Sequence, residues 1–126
     1  MKRRNHKDLV VWQKAMSLAR TIHVLTRSFP PEELFGITSQ LRRAAVSIPS
    51  NIAEGAARAT TREFIQFLYV ARGSLAEIET QLELAEGAGY TKRSEDIFTQ
   101  ADEVGKLLNA VIRGLRRKLC QQQRRL

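Results

Sequence analysis

One cysteine, three prolines and eight aromatic side chains are all that this 126-residue chain has of those types, and each shortage excludes something. A single thiol, Cys120, rules out an intramolecular disulfide and suits a reducing cytoplasm. No apolar run approaches the roughly 20 residues needed to span a bilayer. The N-terminal MKRRNHKDLVVWQK is basic but has no long apolar segment and no small-residue cleavage site, so it does not read as a signal peptide. Alternating apolar runs bounded by turn residues are missing, which excludes strands. The two histidines, His6 and His23, have no partner at ligand spacing. CxxC, HExxH, a Walker loop and a glycine-rich phosphate cradle are all lacking, so an enzyme is not expected, nor a cofactor or metal. Glu77, Glu79, Glu83 and Glu86 could suggest paired carboxylates. A bundle di-iron site would need two Glu-x-x-His motifs beside them, so they read as a solvated acidic face.

What is present is an ordinary core and an uneven charge. Hydrophobic residues make up 43% of the chain, enough for one domain with a real core. Of 21 basic residues, residues 1–7 hold four (Lys2, Arg3, Arg4, Lys7) and residues 113–126 hold six (Arg113, Arg116, Arg117, Lys118, Arg124, Arg125), with no acid in either stretch. The remainder has 11 basic against 13 acidic residues, so the net charge of +8 lies wholly in the two ends. Ends of this kind suit a polyanion such as RNA or DNA. The domain division expected is a basic arm (1–7), a helical domain (8–119) and a basic tail (120–126), with QQQRRL frayed.

Periodicity predicts four helices. Asp8 is placed to cap the first, with Val11, Ala15, Leu18, Ile22, Leu25 and Phe29 as its core stripe, and Phe29-Pro30-Pro31 ends it. Glu32 and Glu33 oppose a helix dipole, and Gly36 interrupts before a second helix over about 38–58. Thr60 and Glu63 form a capping box for a third helix carrying Phe64, Leu68, Ala71, Leu75, Ile78, Leu82 and Ala85, stopped by Gly87 and Gly89. Ser94 starts the fourth, with Ile97, Ala101, Val104, Leu108, Val111 and Leu115. Near-heptad stripes and short connections imply an antiparallel up-down-up-down bundle. The first helix carries a second stripe, Leu9, Trp12, Met16 and Ala19, and the third adds Phe67 and Val70. Two adjoining stripes exceed one buried face, so Leu9, Trp12, Met16, Phe67 and Val70 are assigned to an interface with other copies of the chain.

The second helix is the unusual one. Leu41, Ala44 or Ala45, Ile48 and Ile52 form its core stripe. Arg43, Ser47, Ser50, Asn51, Glu54 and Arg58 trace a polar row beside it. Pro49 removes an amide hydrogen from the helix interior, so a kink is expected there, with Ser47, Ser50 and Asn51 near enough to satisfy backbone groups. Glu54 and Arg58 can pair at i, i+4. Arg42 and Arg43 suit either a phosphate contact or a pairing with Glu54 or with acids on a neighbouring subunit.

TSQLRRAAVSIPSNIAEGAAR at 38–58 resembles the signature of the four-helix-bundle family of 23S rRNA-intervening-sequence proteins. LVVWQKA at 9–15, FPPEELFGITSQ at 29–40 and FLYVARGSLAEIETQLELAEGAGY at 67–90 are similar to it as well. The resemblance implies a bundle that assembles as a ring-like homo-oligomer, a pentamer in characterised relatives. It also extends to the accessory variability determinant of diversity-generating retroelements, basic pentamers that bind nucleic acid and a reverse transcriptase. The expectation is a cytoplasmic, non-enzymatic oligomer. It binds RNA or DNA through Lys2, Arg3, Arg4, Arg116, Arg117, Lys118, Arg124 and Arg125, with Arg42 and Arg43 as a second set and little base specificity. The alternative is a scaffold that docks a protein partner, such as a reverse transcriptase.

Overall fold

The first regular element starts at Asn5, whose side-chain oxygen accepts from the Lys7 amide at 3.0 Å and initiates a 3-10 turn over His6–Asp8. The computed structural model describes residues 5–93 and 95–125. Helix α1, Val10–Thr26, follows with Leu9 as its N-cap and no side-chain cap. Asp8 therefore does not cap α1: it is taken up as the last residue of the preceding turn.

α1 ends at Thr26, whose hydroxyl bonds back to the Ile22 carbonyl at 2.9 Å. Pro30, at φ −55° and ψ 137°, then leads into a second 3-10 turn that Pro31 opens, Pro31–Glu33. Gly36 is the N-cap of α2, Ile37–Ala56; with no side chain of its own to offer, the Ile37 amide donates to the Glu33 carboxylate at 3.4 Å. α2 is continuous through the buried Pro49. α3, Thr61–Gly87, is capped by Thr60, whose hydroxyl oxygen accepts from the Glu63 amide at 3.1 Å. Glu63 returns the contact by accepting from the Thr60 hydroxyl at 2.9 Å. At the far end Gly89 adopts φ 78°, which lets the Gly89 and Tyr90 amides reach the Glu86 and Ala85 carbonyls.

α4, Glu95–Arg124, is helical well into the segment expected to fray. Its predicted start at Ser94 lies outside the described residues. Its stripe is buried at Ile97, Ala101, Val104, Leu108 and Ile112, not at Val111. Alternating steps of four and three assume 3.5 residues per turn, and a straight helix drifts about 20° per heptad from that repeat. Two heptads past Ile97 the drift brings Ile112 inward and leaves Val111 half-buried.

Among the described residues there is no strand. The helices touch in a closed circuit, α1 to α2 to α3 to α4 and back to α1, and α2 against α3 is the most extensive contact. Leu18, Ile22, Leu41, Ile48, Ile52, Leu68, Ile78, Val104 and Leu108 are fully buried at the centre. This arrangement is consistent with a four-helix bundle. No helix among the described residues is long and apolar enough to cross a membrane.

The second helix owes much of its composition to α3. A Cβ built on Gly55 would lie 2.7 Å from the Phe67 Cβ and 2.9 Å from the Phe64 ring. Ser74 of α3 donates to the Ser47 hydroxyl oxygen at 2.9 Å, and Asn51 donates to the Ser47 carbonyl at 2.8 Å and hydroxyl at 3.0 Å. Small and hydroxylated residues in this row let two backbones approach and satisfy the polar groups trapped between them. Asn51 thus serves Ser47.

Candidate functional site

The C-terminal half of α4 is a cationic helix face. From Val104 to Arg125 the chain contains no acid, and Arg113, Arg116, Arg117, Lys118, Arg124 and Arg125 are all exposed. At 100° per residue Arg113, Arg117 and Arg124 fall within about 40° of one another, with Arg116 about 60° to one side. The middle of that arc lies about 160° from the core residue Leu108 and about 120° from Ile112. The three arginines mark a ridge about 16 Å long.

α3 extends this surface. Arg72 stacks over the Tyr69 ring at 4.9 Å and donates to the Asn109 side-chain oxygen at 3.2 Å, while Arg116 reaches the Tyr69 hydroxyl at 3.4 Å. Both arginines are held by neutral groups, so their charge is not cancelled. Sequence reasoning passed over Arg72; its spacing of three from Tyr69 on a helix was the available signal.

Several cations elsewhere are paired. Arg93 lies 2.8 Å from Glu95, 3.2 Å from Glu83 and 3.4 Å from Glu86, with its guanidinium 4.0 Å over the Phe98 ring. Hydrogen bonds to Glu95 and Glu83 hold it protonated above its ordinary range, against some desolvation. Half of the expected acidic face therefore closes the α3–α4 corner, while Glu77 and Glu79 stay exposed. Arg58 bonds to Glu54 at 3.1 Å, as the i, i+4 spacing predicted, and also lies 3.9 Å from Glu63 and over Phe67. Lys14 pairs with Glu103 at 3.4 Å and Lys106 with Asp102 at 3.2 Å. None of these pairs involves the ridge.

The second set of arginines divides. Arg42 is half-buried and donates from Nε to the Thr26 hydroxyl oxygen at 2.9 Å, tying α2 to the end of α1. Arg43 is exposed, and neither residue meets Glu54, which is taken by Arg58. Lys2, Arg3 and Arg4 lie outside the described residues. His6 meets Trp12 edge-on at 5.2 Å, and His23 Nδ1 lies 3.1 Å from the Ala19 carbonyl.

Of the residues assigned to an interface, Leu9 and Trp12 are half-buried and pack on the core; Ala19, their neighbour in the stripe, is buried. Phe67 is half-buried and covered by Arg58, and Val70 is 52% exposed. Trp12 and Met16 also line something the sequence did not signal, a mainly apolar groove of about 670 Å³ between α1 and α2. Val24, Val46, Pro49 and Ala53 complete its floor and walls, and Arg20, His23 and Arg27 stand along it. At the α1–α2 connection Phe35 is 94% exposed and Leu34 48%. Behind them, Tyr90 packs against Phe29 at 6.0 Å. Burial raises the Tyr90 phenol above its ordinary pKa, and the carboxylates of Glu33, its hydrogen-bond partner, and Glu32 push the same way.

Among the described residues, four helices without strands, a cationic ridge and an apolar groove define an all-α protein. The chain belongs to the family of 23S rRNA-intervening sequence proteins, whose model matches residues 7–110. It is similar to a crystal structure of a protein with unknown function from the S23 ribosomal protein family of Bacteroides thetaiotaomicron VPI-5482. The two are 31% identical, with a TM-score of 0.76 over 82% of this chain and 98% of that one. No curated protein matches the chain. The family match ends before Arg113, so the ridge arginines lie beyond it.

Proposed function

We propose that this protein is a non-enzymatic, cytoplasmic homo-oligomer that holds RNA or DNA by backbone charge. The observation that carries the reading is the ridge: exposed arginines on one face of α4, and on α3 beside it, with no carboxylate paired to them among the described residues. Phosphate contacts of this kind position a nucleic acid without reading its bases. An oligomer, by analogy with its relatives a pentamer, would repeat the ridge and raise avidity.

An up-down-up-down antiparallel arrangement is part of the same reading. It is supported by Lys14 lying beside Glu103 and Thr21 beside Gln100, and by Ser47 lying beside Ser74 and Gly55 beside Phe67. A kink at Pro49 is proposed on the chemistry of its missing amide hydrogen. The apolar groove favours a second reading, a scaffold that docks a protein partner.

The test is the salt dependence of binding to a labelled RNA hairpin and a DNA duplex. Each phosphate neutralised on a duplex contributes about −0.9 to the slope of log K against log salt. Replacing Arg113, Arg117 and Arg124 together by Gln is expected to flatten that slope by about two to three units in each occupied subunit. A slope unchanged by the triple substitution would remove the ridge from the binding surface. Absence of binding at low salt would favour the scaffold.

A further inference from the structure

We propose that Phe35 and Leu34 of one copy of this chain seat in the α1–α2 groove of another copy. This rests on the homo-oligomer reading and names its two joining surfaces.

Phe35 is exposed without being loose. Pro30 and Pro31 fix two φ angles ahead of it. The Glu33 amide bonds to the Pro30 carbonyl at 2.9 Å and the Gly36 amide to the Glu33 carbonyl at 2.9 Å. Phe29 anchors the turn from below, 6% exposed and packed against Tyr90. A large aromatic ring held out on a stiff turn loses little freedom on docking and is the type of side chain that anchors interfaces. Nothing among the described residues covers it, and it is 94% exposed.

The groove is the complementary shape and charge. Its apolar lining comes from Trp12, Met16, Val24, Val46, Pro49 and Ala53, and its volume of about 670 Å³ has room for more than one side chain. Arg20 and Arg27 stand along it, exposed and without an ion pair among the described residues, and no carboxylate lines it. The turn offers the opposite sign: Glu32 is exposed beside Leu34 and Phe35, and residues 30–36 include no cation. An apolar knob flanked by a carboxylate therefore matches an apolar groove flanked by guanidinium groups. Knob and groove are different patches of the same surface; joined head-to-tail, the contact repeats and closes a ring when the rotation allows it.

Sedimentation velocity on the full chain tests this, with Phe35→Glu as the knob variant and Ala53→Trp as the groove-filling one. The parent is expected to be multimeric. Each variant alone is expected to be monomeric, with association weakened on the order of 30-fold or more, as for loss of an interface anchor. An equal mixture should stop at the dimer, because only one intact knob can meet one intact groove. Far-UV circular dichroism checks the fold, and if Ala53→Trp loses helicity, Val46→Asp at the half-exposed groove wall replaces it. A Phe35→Glu chain that keeps the parent's mass overturns the docking, even if the groove variants dissociate, since some other segment would then fill the groove. A mixture that stays monomeric overturns it too. A monomeric parent overturns both the docking and the homo-oligomer reading, whereas a multimeric parent with unaffected variants removes the docking alone.

Discussion

Against α3, helix α2 comes so close that Gly55 has no room for a methyl group, whereas against α1 the same helix leaves a groove of about 670 Å³. The two flanks use different rows of one segment. Ser47, bonded to Ser74 and Asn51, and Gly55, against Phe64 and Phe67, belong to the closed side. Val46, Pro49 and Ala53, at steps of three and four, belong to the open one. The contrast separates two demands that the signature segment combines. Small residues on one row are explained by helix approach, and the row that packing does not consume is the one available for contact.

This division predicts unequal responses to substitution, read by urea denaturation at one protein concentration low enough to dissociate any assembly. Ile48→Ala, at a side chain with no exposed surface, is expected to lose about 2–5 kcal/mol. A smaller loss would mean that the row between the two flanks can collapse into the groove. Gly55→Ala should lose about 1–3 kcal/mol to overpacking, although a helix interior ordinarily gains up to about 1 kcal/mol from Gly→Ala. Gly73→Ala on α3, where an added Cβ meets nothing within 4 Å, should show that ordinary gain. Two glycines of opposite sign would establish the close approach; equal gains would dissolve it. Val46→Ser, at a residue 49% exposed on the open side, should leave stability within about 0.5 kcal/mol. A larger loss would place the groove wall in the monomer core.

Much of the fold was legible because it repeats. All seven residues of the α3 stripe are buried, from Phe64 to Ala85. The failures have local causes. Asp8 was passed over as a cap because Asn5 nucleates a turn earlier, and Val111 gave way to Ile112 through helical drift over a long element. The ridge was legible as charge, but not as a face, until α4 proved helical to Arg124. Arg42 bonded to Thr26 joins residues 16 apart, and Arg93 gathers carboxylates from two helices. Neither spacing has a pattern along the chain. Phe35 sits in a short irregular stretch where periodicity has nothing to measure, so its exposure was invisible.

By itself the sequence determined four amphipathic helices, most of their ends, and the segregation of positive charge toward the termini. Those properties are summed residue by residue along the chain. Tertiary structure decided which row of α2 meets which neighbour, which arginines are neutralised and which stay free, and that a groove opens beside α1. Such features depend on distances between helices. Those distances are set by the bulk of side chains at each contact: Gly55 draws α2 onto α3, and nothing of comparable smallness draws it onto α1 along the groove.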